Sequence, residues 1–384
     1  MTASAGHPLR PTTLQIDLDA AAANVRVVRQ LVGPARKIFA VVKADGYGHG
    51  AAELGAVFVA HGADALAVAD LGEGVRLRQR GITAPVLVYP NSLPEAAPEA
   101  LAHRLTPTLV DLDAAGAYAQ AATEPCDIFV KIDVGLERLG VPAEQAVKTI
   151  TAMLELPHLR LAGLCAHPHA HGTDPAYIEW QLGRFTAVVD ELQTRGIAVP
   201  IRLFAASPFV LRFPQTYLNA VDPGRMLYGI TFAGETPPMP LRPVFEALVT
   251  RVIALKELTP RERFAEQAPF PVTVPMKLGV IPMGLADGLA WLHAGRVLVR
   301  GRAVPILTGP NLEHTRIDLT SVPDARVGDE VVIIGRQGDE EITIAEVAKR
   351  HGLGLHHVAT TVGPRVTRVY RSAAATSPAG AGGS

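Results

Sequence analysis

The residues best placed to do chemistry lie in VVKADGYGHG, residues 41–50, where Lys43 closes an apolar run and a glycine-rich turn follows at once. A lysine at the end of a buried strand, partly stripped of water, more readily gives up its proton and becomes the amine that a carbonyl cofactor needs for a Schiff base. The same position suits a lysine that merely extends to solvent, so position alone leaves both roles open. Tyr47, Gly48 and Gly50 offer a phosphate a hydroxyl and closely approachable backbone, or simply make the turn. A second cluster, His167, His169 and His171 in AHPHAHGTD, has the alternating imidazoles that some zinc hydrolases present along an extended segment. No downstream His plus Asp set completes such a site, and Pro168 disturbs the strand, so no metal is expected. His169 then reads as a proton donor or polar substrate contact, or as part of a solvated loop.

These groups need a frame, and the hydrophobic patterning supplies one. Short β-branched runs recur at LQIDL (14–18), IFAVVKAD (38–45), ALAVAD (65–70), PVLVYP (85–90), TPTLV (106–110), DIFVKID (127–133), LRLAGLCAH (159–167) and IRLFAAS (201–207), with Ala-rich helical stretches between them. Continuously apolar strands alternating with helices argue a parallel sheet buried on both faces, and this count argues closure into an α/β, TIM-type (β/α)₈ barrel. Lys43 then sits at the C-terminal mouth, where barrel active sites form. An open doubly wound sheet is the alternative; the dinucleotide version lacks its G-x-G-x-x-G after the first strand. Beyond GETPPMPLRP the runs ALVTRVIAL, KLGVIPMG, RVLVRG, RAVPILTG, DEVVIIG and ITIAEVA, separated by turn residues, read as a mainly antiparallel β domain. The expected organisation is a segment 1–13 packing with the β domain, a barrel 14–236, a C-terminal β domain 237–371 and a disordered tail 372–384.

Composition narrows the function class. Across 384 residues, 36 Lys+Arg against 37 Asp+Glu leave a net charge of −1, which argues against a nucleic-acid or membrane-surface role. Two cysteines, Cys126 and Cys165, form neither a disulfide framework nor a thiolate zinc site. The N-terminus lacks the apolar core of a secretory signal and no run is long enough to span a bilayer, so a cytoplasmic protein is expected.

The decapeptide around Lys43 resembles the pyridoxal-phosphate lysine motif of the alanine racemase family. KIDVGLERLG (131–140), VDPGRMLYGI (221–230), IPMGLADG (281–288), PILTGPNLEH (305–314), VGDEVVIIG (327–335) and VGPRVTRVY (362–370) are similar to that family's blocks in the same order, across both expected domains. The resemblance implies a fold-type III, pyridoxal 5'-phosphate-dependent enzyme and a head-to-tail homodimer whose sites are completed by the partner chain. It implies that Lys43 carries the internal aldimine and acts as base on one face of the substrate. Tyr47 and Ser207, with the backbone of Gly224 and Arg225, would hold the phosphate, with Tyr228 in the same block. Arg138 would contact the cofactor's phenolic oxygen and the substrate side, with Lys131 matching a lysine carbamylated in some members to orient that arginine; the other reading of Lys131 is an ordinary salt bridge. His167 would line the site.

Three positions depart from the family's pattern. Ungapped alignment back from IPMGLADG puts Glu266 where racemases carry the tyrosine that serves as second base; a carboxylate does that work if burial raises its pKa. Asp222 stands where racemases place an arginine against the pyridine nitrogen, so the ring would be held protonated and become a stronger electron sink, unless Asp222 only caps the following turn. In the substrate pocket, Asn311-Leu312-Glu313-His314 replaces Cys-Met-Asp-Gln, Leu285 replaces a tyrosine and Ala206 replaces an asparagine, which points away from alanine as substrate. The expected activity is amino-acid racemization or epimerization through a Cα carbanion, with Lys43 and Glu266, helped by His167 or His169, on opposite faces. The alternatives are decarboxylation, retro-aldol cleavage, elimination or transamination on the same scaffold, and a non-catalytic pyridoxal-phosphate carrier. The C-terminal domain speaks against the carrier.

Overall fold

The computed structural model describes residues 9–169, 174–231, 237–260 and 265–373. Two compact units divide the chain, one running from Ala20 to Arg242 and the other combining the N-terminal stretch up to Asp19 with Pro243 onward. The expected boundary near 236 falls among residues outside the described set, as does most of the expected tail.

The first strand, β1 (Thr13–Asp17), corrects the strand assignment, because it lies outside the barrel: it pairs antiparallel with β11 (Phe245–Arg251) and parallel with β19 (Thr367–Arg371). The reason is in its pattern. Leu14 and Ile16 are fully buried while Gln15 and Asp17 are only half-buried, the alternation of a one-sided sheet rather than the unbroken apolar run of a barrel strand.

The barrel is built from β2 (Lys37–Val41), β3 (Ala65–Val68), β4 (Val86–Val88), β5 (Thr106–Leu109), β6 (Cys126–Asp133), β8 (Leu159–Ala166), β9 (Ile201–Ala206) and β10 (Ala220–Asp222). All neighbours pair in parallel, and β5 with β6 and β10 with β2 close the ring, while the short β7 (Val141–Pro142) attaches to β6. The eighth strand is thus β10, too short at three residues to stand out as an apolar run. Inside, Phe39, Val41, Ala67, Leu87, Phe129 and Leu203 form the packed interior, with Phe39 and Phe129 edge to face at 5.8 Å. Helices such as Ala143–Leu154 and Pro175–Thr194 cover the outside, the latter started by Asp174, whose side chain accepts from the Ala176 amide.

The other unit carries a sheet ordered β15 (Arg302–Pro305), β14 (Arg296–Val299), β17 (Glu330–Gln337), β11, β1, β19, with β18 (Glu340–Ile342) on β17. A smaller sheet joins β12 (Ala254–Leu258), β13 (Met276–Ile281) and β16 (Thr315–Asp318), all antiparallel. ITIAEVA is strand only at its start. Thr343 caps the Glu346 amide at 3.0 Å and opens the helix Ile344–His351, a start signal written in Thr-x-x-Glu. Arg10 forks onto Asp287, a fully buried carboxylate, which ties the N-terminal stretch to this unit.

Candidate active site

Lys43 follows β2 into a run of left-handed backbone: Ala44 (φ 53°, ψ 48°), Asp45 (φ 51°, ψ 52°), Gly46 (φ 62°, ψ 43°) and Tyr47 (φ 53°). For the three non-glycine residues this costs roughly 1–2 kcal/mol each, so something must hold the turn. Glu73 does much of it, accepting the Ala44 amide at 2.6 Å on Oε1 and the Ala69 amide at 2.8 Å on Oε2, which clamps the ends of β2 and β3 together. Asp45 Oδ1 accepts the Ala51 amide at 2.9 Å and starts the next helix, while the buried His49 ring bonds the Gly46 carbonyl at 3.0 Å through Nδ1. Strain maintained by this many contacts marks a turn kept for the groups it displays.

What it displays is Lys43 over the barrel mouth and Tyr47 beside Gly224. A Cβ on Gly224 would lie 2.4 Å from the Tyr47 hydroxyl, so only glycine fits there. Ser207 Oγ accepts the Gly224 amide at 2.9 Å and the Met226 amide at 3.3 Å, which gathers Tyr47, Ser207 and Gly224 into one cradle of hydroxyls and backbone amides. Tyr228 stands behind it: fully buried, 4.8 Å from the Tyr47 ring, with its hydroxyl donating to the Val41 carbonyl at 3.1 Å. Its hydroxyl is thus spent on the barrel wall, and its ring supports Tyr47. The buried Arg225 guanidinium turns back to donate to the Ile230 carbonyl at 3.0 Å, leaving its backbone at the cradle.

Across the mouth the charges are crowded and poorly hydrated. Burial lowers the pKa of the Lys43 amine, opposed by Asp222 and reinforced by Arg138 and Lys131. Burial likewise lowers Lys131 on β6. His167, just past β8, falls to about 3 through burial first and then the nearby Lys131, Lys43 and Arg138, so it is a neutral imidazole at physiological pH. That removes the cationic acid role for His167 and leaves a neutral hydrogen-bonding one. Arg138 is exposed on a loop wound around Asp133, whose Oδ1 accepts the amides of Gly135 (2.9 Å), Leu136 (3.0 Å) and Glu137 (3.3 Å) and whose Oδ2 accepts Arg138 N (3.1 Å). His169 is fixed through its backbone, which donates to Gln181 Oε1 at 2.7 Å and accepts from Gln181 Nε2 at 3.2 Å, with its ring 6.3 Å from that of Tyr177. His171 lies outside the described residues.

Asp222 ends β10 and is buried. Desolvation raises its pKa to about 6 against the pull of Tyr89, Lys43 and Lys131. The Tyr89 hydroxyl donates to Oδ2 at 2.7 Å, and Oδ1 is buried without a partner among the described residues. An orphaned carboxylate oxygen close enough to act electrostatically on the half-buried Lys43 and on Tyr47 of the hydroxyl cradle fits a phosphorylated heteroaromatic aldehyde such as pyridoxal phosphate.

The remaining candidates belong to the other unit. Glu266 sits in the short turn Ala265–Gln267 with its side chain exposed; Asn311 is exposed, Leu312 is 62% exposed and Leu285 47%. Glu313 is paired with Arg365 at 2.6 Å. Sequence reading missed Glu73, His49, Asp133 and Tyr89. The first two had a signal in the tight glycine-rich turn, which needs partners for its amides; Tyr89, closing PVLVYP, had only its place at a strand end.

The alanine racemase N-terminal domain model matches residues 16–232 and the C-terminal domain model residues 246–370. The chain is 36% identical to an alanine racemase of Desulfosudis oleivorans, covering 93% of this chain and 95% of that one. It is 32% identical to an alanine racemase of Methanococcus maripaludis, covering 94% and 98%. Among solved structures it is similar to alanine racemase from Bacillus anthracis with bound L-Ala-P, at 29% identity and a TM-score of 0.88, covering 96% and 97%.

Proposed function

Because the chain belongs to the alanine racemase family, we propose that it is a pyridoxal-phosphate-dependent amino-acid racemase whose proton-transfer pair is Lys43 and Glu266. The observation that carries this reading is the desolvated Lys43 amine, displayed on a strained turn beside a cradle that only a glycine at 224 leaves open.

Bound at the mouth, pyridoxal phosphate supplies an aldehyde that condenses with amines and an electron-withdrawing ring that acidifies the substrate's Cα–H. Tyr47 and Ser207, with the backbone of Gly224 and Arg225, would hold the phosphate. Lys43 would anchor the cofactor and would take or return a proton at the substrate's Cα on one face. Burial lowers the Lys43 pKa, the direction that favours the free amine a base requires. Arg138, carried on the Asp133-wound loop, and Lys131 neutralise developing or resident anionic oxygens, while neutral His167 orients by hydrogen bonding. The partner subunit's Glu266 completes the opposite face in a head-to-tail homodimer. This assignment is supported by its alignment with the family's tyrosine and by its exposure in the single chain. No helix among the described residues is long and apolar enough to cross a membrane. Leu285, Asn311 and Leu312 support a substrate side chain other than a methyl group.

A second reading is favoured by one observation, the buried Asp222 carboxylate where a cation is expected: decarboxylation, C–C cleavage, elimination or transamination on the same frame. Proton NMR of the cofactor-loaded protein with L- and D-amino acids, alanine included, in D₂O separates the two. Loss of the α-proton signal with the opposite enantiomer appearing on chiral analysis, absent in Lys43→Ala, is the racemase outcome. A new product, or exchange with strict retention, overturns it in favour of the second.

A further inference from the structure

The ring-side corner of the barrel mouth holds a carboxylate that is only half used. Asp222 spends Oδ2 on the Tyr89 hydroxyl at 2.7 Å, while Oδ1 is buried with no partner among the described residues. Buried acceptors are kept unsatisfied chiefly where something else completes them. The groups facing this carboxylate come from every side of the mouth: Lys43 after β2, Tyr47 in the left-handed turn, Tyr89 after β4, Lys131 on β6 and Cys165 on β8. Burial holds both tyrosines above their ordinary pKa and pushes Cys165 up to about 12, so all three are neutral donors or bystanders. The two lysines act on Asp222 electrostatically, and neither donates to Oδ1.

A phenol that donates to a carboxylate stabilises the anion, not the acid. Tyr89 therefore works against burial, which favours the protonated form, and its fixed bond aims the second oxygen. We propose that Tyr89 and Asp222 form a dyad that accepts the N–H of a protonated heteroaromatic ring, with Tyr89 the positioning residue that keeps the shared proton on the ring instead of on the carboxylate. This rests on the reading of the mouth as the pyridoxal-phosphate site. It goes beyond that reading by assigning Tyr89, which no sequence motif marks, and by fixing the protonation state of the ring.

The test is ¹⁵N NMR of the full-length protein reconstituted with pyridoxal phosphate labelled at the ring nitrogen, across a pH series, for the wild type, Tyr89→Phe and Asp222→Asn. It needs no turnover. The wild type should show a protonated ring nitrogen through neutral pH, and Asp222→Asn an unprotonated one. Tyr89→Phe should bind cofactor to the same stoichiometry but shift the shared proton from the ring toward the carboxylate, lowering the ratio of ring-protonated to ring-unprotonated form about tenfold at neutral pH, the effect of one charge-assisted hydrogen bond. A fully loaded wild type with an unprotonated ring overturns the dyad while leaving the cofactor site intact, and so does a Tyr89→Phe titration that superimposes on the wild type. Should Tyr89→Phe fail to fold, an Asp222→Asn protein whose ring stays protonated overturns the proposal on its own. A wild type that takes up no cofactor on Lys43 overturns the site reading and the dyad together, so the two failures are told apart.

Discussion

The barrel mouth and the candidate residues of the C-terminal unit are organised in opposite ways. In the barrel, candidate groups are braced by buried bonds: Glu73 clamps the turn of Lys43, Tyr228 backs Tyr47, Ser207 ties Gly224, and Tyr89 holds Asp222. In the other unit, Glu266, Asn311, Leu312 and Leu285 are exposed, and the buried polar contact lies deeper, where Arg10 meets Asp287. Pre-organisation is therefore complete on one side and deferred on the other. A barrel mouth whose candidate groups are braced, with exposed candidates in the other unit, agrees with the proposed reading in which a second copy supplies the other half of the site.

The largest effect should come from the braced side. Lys43→Ala removes both the anchor and one base, so cofactor absorbance after dialysis should be lost and turnover should fall by on the order of 10⁴ or more. Glu266→Gln tests the uncovered side: turnover should drop about a hundredfold while cofactor retention and its spectrum stay at wild-type values. If binding falls with turnover, Glu266 belongs to the cofactor frame and the contrast between the two regions is wrong.

The third prediction concerns the frame of the uncovered side. Arg10→Ala takes the forked guanidinium from the fully buried Asp287 carboxylate and leaves it the Gly284 amide at 2.9 Å and Arg365 at 3.9 Å, so the loss should fall below the roughly 3–5 kcal/mol of a fully broken buried pair. Denaturant unfolding followed by the fluorescence of Trp291, which is buried in this unit, should shift its midpoint accordingly. An unchanged midpoint would mean that the Arg10–Asp287 pair contributes nothing to this unit's stability.

How much of this was legible depended on whether a residue's role follows from local pattern. The parallel barrel was legible in its unbroken apolar runs, and VVKADGYGHG was legible as a strand end and turn, while the role expected of Lys43 came from family resemblance. The barrel's strand membership was not: LQIDL has the apolar content of a barrel strand, and only its alternation, Leu14 and Ile16 in and Gln15 and Asp17 half out, assigns it to the one-sided sheet. β10 hid for the converse reason, since three residues beside a Pro-Gly turn carry little pattern. Ser207, Gly224 and Asp222 were found through family resemblance. Tyr89 was not found, because its work is done across the ring on a residue 133 positions away, and pairing at that distance leaves no trace in spacing; Glu73 was missed although the tight turn it serves needs a partner for its amides.

The smallest expected effect returns to the braced side and shows what its organisation costs before any cofactor binds. Asp222 has a folded-state pKa of about 6, against roughly 3.9 in an unfolded chain. Between those values the folded protein holds a proton that the unfolded chain has released, so the residue's contribution to stability is fully present below pH ~4 and is lost as pH rises through 6. Two pKa units correspond to at most ~3 kcal/mol, the opposing pull of Lys43 and Lys131 being already contained in the folded-state value. Asp222→Asn has no proton to lose, so the stability of the cofactor-free variant relative to wild type should rise by about that amount between pH 4 and 6.5 and stay level above it. Urea unfolding at three pH values measures this. A difference that does not change with pH would mean that Asp222 is already satisfied as an anion in the free protein. The barrel mouth would then be no more strained than the exposed surface it has been set against.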